Sequence, residues 1–137
     1  MGKARKVSGQ ASRSVIEPGE APVEFQRDIA ERLIKYGRLV VARGYIHNSL
    51  GNIAIRVPHP AFPHGVAYAK HAGVSLEEME LEHVVITDIP TERLLYGTVP
   101  TSVGHKLSRE ILRLRPGINA VIHVHHDETI AQFAAGG

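Results

Sequence analysis

His123 and His125 are the side chains best spaced to do chemistry in this chain. They lie in the run Ile118-Asn119-Ala120-Val121-Ile122-His123-Val124-His125-His126. The run reads as a strand, and strand side chains alternate faces, so Val121, His123 and His125 share one face and Ala120, Ile122 and Val124 the other. Residues two apart on a strand have Cα atoms roughly 6.6 Å apart. Two neutral imidazoles at that spacing can converge on one divalent cation, with N–metal bonds of about 2.0–2.1 Å for zinc. The plainer alternative is a strand end whose polar residues meet solvent. There is no cysteine, which excludes a disulfide framework and a thiolate zinc site. Nine histidines are then the main source of soft ligands and near-neutral acid/base groups.

Several elements must hold that strand in place. Phe25, Ile29, Leu33, Tyr36, Leu39 and Val40 recur at helical steps with Asp28, Glu31, Arg32 and Lys35 opposite, which predicts an amphipathic helix ended by Gly44. A polar loop, His47 to Leu50, leads into an alternating strand, Gly51 to Val57. Pro58, Pro60 and Pro63 mark a turn region, and a second strand covers Gly65 to Ala69. Ser75 followed by Glu78 is a capping-box pattern for a short helix. His83 to Asp88 reads as a β-branched strand, closed by a turn at Tyr96-Gly97. A second helix runs from about Ser102 to Arg113 with Leu107, Ile111 and Leu114 as its buried stripe, stopped by Pro116-Gly117. A last helix is expected over Glu128 to Ala135. The order of elements predicts an α/β fold, with helices packed on a mixed or antiparallel sheet.

Length and composition fit one soluble domain, with 43% hydrophobic and 22% charged residues. Residues 1–14 hold four of the sixteen basic residues and no acid; the other twelve are outnumbered by fourteen acids. The basic excess therefore belongs to a tail, expected to be disordered over residues 1–22, while residues 23–137 form the domain. No basic face points to nucleic acid, and no apolar run approaches the ~20 residues of a membrane span. A cytoplasmic protein is the expectation.

Three segments in order resemble the class II aldolase/adducin family, which includes fuculose-phosphate aldolase. They are Gly44-Tyr45-Ile46-His47-Asn48-Ser49-Leu50-Gly51-Asn52-Ile53-Ala54-Ile55-Arg56, then Ala72-Gly73-Val74-Ser75-Leu76-Glu77-Glu78-Met79 with the Val84 to Asp88 strand, then Arg115-Pro116-Gly117 with the histidine strand. The resemblance covers about residues 25–135. It implies a three-layer α/β/α sandwich and a metal-dependent lyase, aldolase or decarboxylase, assembled as a homotetramer. It also implies Zn2+ or another divalent cation such as Mn2+, held by His123 and His125. A phosphate- or carboxylate-bearing small molecule would meet Ser49, Gly51, Asn52, Gly73 and Ser102, with Lys70 and His71 beside it.

Three departures stand out. Gly104 occupies the position where the family places its acid/base glutamate, and His105 is the nearest titratable neighbour, hence the candidate general base. Lys70-His71-Ala72-Gly73 replaces a hydroxyl-rich phosphate loop, which suits a carboxylate better. The chain stops roughly halfway through a typical member, without the third histidine ligand, and His126 faces the wrong way to replace it. The chain is therefore expected to be truncated, with an unpaired sheet edge. A non-catalytic adducin-like assembly domain, or an inactive fragment, is the competing expectation.

Overall fold

The computed structural model describes residues 23–45 and 51–124, in which two helices sandwich one antiparallel sheet. Helix α1 spans Arg27–Ala42 and buries Ala30, Leu33, Ile34 and Gly37. The predicted stripe is thus rotated: Leu33 is central, Phe25, Ile29 and Val40 pack at its margins, and Tyr36 is 42% exposed. Tyr68 fixes where α1 starts. Fully buried, its hydroxyl accepts from the Gln26 N–H at 2.8 Å and donates to the Glu24 carbonyl at 3.2 Å.

Strands β1 (Gly51–His59) and β2 (Phe62–Lys70) form a hairpin, longer than the three prolines suggest. The pairing shifts register between Val57 and His59. Pro58, which has no N–H to give, sits at that irregularity. Strand β3 (Val84–Asp88) pairs with β2, and β4 (Leu94–Tyr96) with β3. At three residues, β4 is too short to show a period, and the sequence reading has no strand there. The capping box at Ser75 is present: its N–H and hydroxyl both reach Glu78 Oε1, and a single 3-10 turn, Leu76–Glu78, follows.

Helix α2 (Gly104–Leu114) crosses the other face and delivers the chain to β5 (Ala120–Val124), which pairs with β1. The strand order is β4-β3-β2-β1-β5. The expected buried stripe of α2 is corrected here. Leu107 and Leu114 are 49% and 63% exposed, and the helix instead buries His105, Ser108, Arg109 and Leu112.

Arg56 and Arg109 explain how polar residues come to lie inside. Arg56 on β1 donates to the carbonyls of His64, Arg115 and Ile118, tying down the turn that aims β5. Arg109 donates to the carbonyls of Ile89 and Thr91, each at 2.9 Å, and pairs with Glu92 at 3.2 Å. Both guanidiniums donate to loop carbonyls, of which that of Ile89 is buried and the others partly buried. No described helix is long and apolar enough to cross a membrane.

Candidate functional site

One end of the sheet gathers most of the described candidates. Register places Gly51 opposite Val124, Asn52 opposite His123, and Lys70 opposite Val84. The start of β1, the end of β2, the start of β3 and the end of β5 therefore coincide. An isolated bridge from His71 to Thr101 brings the chain just before α2 to the same end. Ser49 and His125, along with His126 and the expected last helix and N-terminal tail, lie outside the described residues.

On the α2 face, Asn52 makes the tightest contact of this cluster. The Ser102 hydroxyl donates to Asn52 Oδ1 at 2.7 Å. A Cβ added to Gly104 would stand 2.0 Å from Asn52 Nδ2 and 2.8 Å from its Cγ. Glycine at 104 is thus what lets the Asn52 amide lie against the first turn of α2. The space where residue 104 would carry a side chain is filled by a neutral amide, with two N–H donors and one acceptor.

His123 stands directly across the β1–β5 ladder from Asn52, so the two share this face. Its imidazole is partly buried. Of these three groups, the imidazole is the one with a usual metal-ligand nitrogen. Among the described residues, no group of three His, Asp or Glu side chains could hold a metal ion. His123 is the described half of the expected His123/His125 pair.

Lys70 is 4% exposed, and no hydrogen bond or ion pair to its ammonium occurs among the described residues. Desolvation by burial lowers its pKa below the ordinary lysine value. By strand alternation it lies on the α1 face with Tyr68, whereas Asn52 and His123 lie on the α2 face; only the shared sheet end relates them. Gly73 is exposed with φ +89°, a conformation that favours glycine. His71 is held by its ring, whose Nδ1 contacts the Ala72 carbonyl at 2.7 Å, and by its N–H, which donates to the His83 carbonyl at 3.0 Å.

His105, expected as a base facing the substrate, is only 2% exposed. Its Nε2 lies 3.0 Å from Thr87 Oγ1 on β3. Burial, with a smaller contribution from the nearby Arg109 charge, lowers its pKa to about 4. In this position it fastens α2 to the sheet. Sequence reasoning also passed over His83, whose ring lies 5.3 Å from that of His71 and nearly perpendicular to it. The sequence signal was available, a histidine at the mouth of a β-branched strand, but nothing in it pairs His83 with His71.

The chain belongs to the class II aldolase and adducin N-terminal domain family, whose model matches residues 31–135. Solved structures agree on the fold. An L-fuculose 1-phosphate aldolase superposes with a TM-score of 0.67 at 21% identity, covering 79% of this chain and 49% of that one. An L-fuculose 1-phosphate aldolase from Glaciozyma antarctica PI12 gives 0.67 at 17% identity, covering 86% and 50%. An aldolase II superfamily protein from Pseudomonas syringae gives 0.67 at 19%, covering 85% and 43%. The chain thus spans about half the length of these structures. No curated protein sequence matches it.

Proposed function

We propose that this chain serves a divalent-metal-dependent carbon–carbon lyase acting on a small hydroxy-carbonyl compound that bears a carboxylate or phosphate. The observation that carries the reading is the Asn52–Ser102–Gly104 cluster facing His123 across one ladder. His123, with His125 two positions on, would hold Zn2+ or Mn2+. When bound, such an ion supplies Lewis acidity toward a substrate oxygen.

The chain's own groups bind and orient. Asn52 Nδ2 offers a neutral hydrogen bond to an anionic group, with the Ser102 hydroxyl holding Asn52 Oδ1 in place, helped by Ser49 and by the backbone at Gly51 and Gly73. Lys70 supplies a cation whose desolvation is offset once an anion approaches it. The amide at the position of the family's acid/base carboxylate favours decarboxylation as a second reading, because carbon dioxide loss needs no base at that point. A cytoplasmic homotetramer completes the reading.

The test is elemental analysis of the full chain after loading with zinc or manganese. His123→Ala should lose the bound ion while keeping its far-UV circular dichroism. Equal metal content in both proteins would remove His123 as a ligand and the reading with it.

A further inference from the structure

A cavity of about 380 Å³ lies at the end of the sheet opposite the Asn52–His123 cluster, between the β1–β2 turn and the segment that leads into β5. Arg56 lines it. Asn52 and Arg56 share the α2 face of β1, roughly 13 Å apart along the strand. Arg56 is 9% exposed, and its guanidinium meets only neutral groups. Nη1 donates to the His64 carbonyl, and Nη2 to the carbonyls of Arg115 and Ile118. Among the described residues, Nε has no acceptor and no carboxylate pairs with the charge. Desolvation by burial accordingly lowers its pKa below the ordinary arginine value.

The side chain is clamped where it lies. Gly65, at φ +80°, packs so closely that an added Cβ would stand 3.1 Å from both Cγ and Cδ of Arg56. The other polar lining, His59, His64 and Asn119, contains no acid. Two imidazoles might suggest a cation site, but His59 Nδ1 already accepts from the Ala61 N–H at 3.0 Å, and the guanidinium charge repels a metal ion. Asn119 is exposed, and its amide carries two N–H donors. Pro58, Pro63 and Pro116 supply rigid walls without an N–H. Phe62, 5% exposed, completes them and meets the His59 ring edge to face at 5.1 Å.

We propose that this cavity is a second binding site, for a small organic carboxylate with a flat apolar body. The carboxylate supplies the counter-charge that Arg56 lacks and accepts from the Asn119 amide and the His64 imidazole. The body of the ligand lies between the proline rings and Phe62. A single guanidinium already committed to three carbonyls balances one negative charge, which favours a carboxylate over a phosphate dianion. The apolar walls offer no donors to further oxygens, so a phosphate would lose hydration there without replacement. Binding here is independent of the lyase reading, since no residue is shared with the Asn52–His123 cluster.

The experiment titrates the full 15N-labelled chain with benzoate, using the neutral isostere benzamide and inorganic phosphate as controls. Benzoate should shift the Arg56 Nε–H and Asn119 side-chain amide resonances and saturate in the millimolar range. Benzamide and phosphate should leave the Arg56 Nε–H unmoved at the same concentrations. Equal responses to benzoate and benzamide would make the cavity an apolar pocket indifferent to charge. A response to phosphate without one to benzoate would replace the carboxylate by an inorganic anion. Either result overturns the assignment, as does a benzoate titration that moves neither resonance.

Replacing Arg56 itself would also cut its ties to the turn before β5, so the variant of choice is Asn119→Asp. The Asn119 carbonyl accepts from the Arg56 N–H at 2.8 Å, which fixes residue 119 beside the cavity. The substitution keeps the shape of the side chain and places a carboxylate near the guanidinium. Benzoate affinity should fall at least tenfold, with far-UV circular dichroism unchanged. Undiminished benzoate binding by Asn119→Asp would show that the ligand does not sit at Arg56, and the site would be withdrawn.

Discussion

The two faces of the sheet are built on different principles. Under α1, the large cluster runs through Leu33, Ile53, Val66, Tyr68, Leu76, Met79, Val84 and Ile86 with few polar interruptions. Under α2, the apolar cluster contracts to Ala54, Ala67, Ile89 and Leu112, with Ile118 and Val121 against it. The space saved by alanines is taken by Thr87, His105, Ser108, Arg109 and Arg56, all buried. One face supplies stability by removing apolar surface from water. The other holds polar groups in fixed geometry and loses some stability where they lack partners among the described residues, as at His105 Nδ1, Ser108 Oγ and Arg109 Nε.

The comparison can be broken in four places. Leu33→Ala, in the α1 layer, should cost about 4 kcal/mol in urea unfolding, with no effect on metal content. A loss under 1 kcal/mol would mean that α1 is not the stabilising layer. In the α2 layer, His105 should make stability depend on pH. Its unfolded form takes a proton near pH 6.5, its folded form not until about pH 4. The unfolded state therefore binds more protons within that window. Stability should fall as pH drops through it, by on the order of 3 kcal/mol, and level off below. His105→Asn should flatten that part of the curve, and an unchanged slope would show that His105 is not the group responsible.

Gly104→Ala should cost about 2 kcal/mol through overpacking against Asn52. Adding Asn52→Ala should recover most of the loss, since the two changes meet at one contact. Additive losses would show that the contact is looser than 2.0 Å implies. Lys70 is the exception to the comparison, a cation on the apolar side. Lys70→Met should raise stability by about 1 kcal/mol while weakening binding of an anionic substrate. A stability loss would reveal an internal partner for the ammonium.

The same contrast explains what could be read from the chain. The α1 side was more legible because apolar periodicity reports apolar burial: the helix falls within a residue or two of its expected place, and β1, β2 and β3 contain the runs expected of them, although β1 and β2 extend into the expected proline turn. The α2 side misled because the reading assumed that an apolar stripe faces inward. Leu107 and Leu114 face out, and His105, Ser108 and Arg109 face in, since Thr87 and the carbonyls of Ile89 and Thr91 receive two of them. Of the expected site, Asn52, Ser102 and His123 come together through strand pairing and the approach of α2. The Asn52–Gly104 fit depends on how closely a helix lies over a strand, and no spacing along the chain encodes that.

The fit of Asn52 over Gly104 also constrains the routes by which this sequence can diverge. A lineage that acquired any side chain at 104 first would pass through a form with the clash and without compensation. One that first shortened Asn52 would keep a folded intermediate, at the expense of the Ser102 hydrogen bond. The order of two substitutions is thus set by one contact, and position 104 should gain a side chain only in descendants of this chain in which position 52 has already changed.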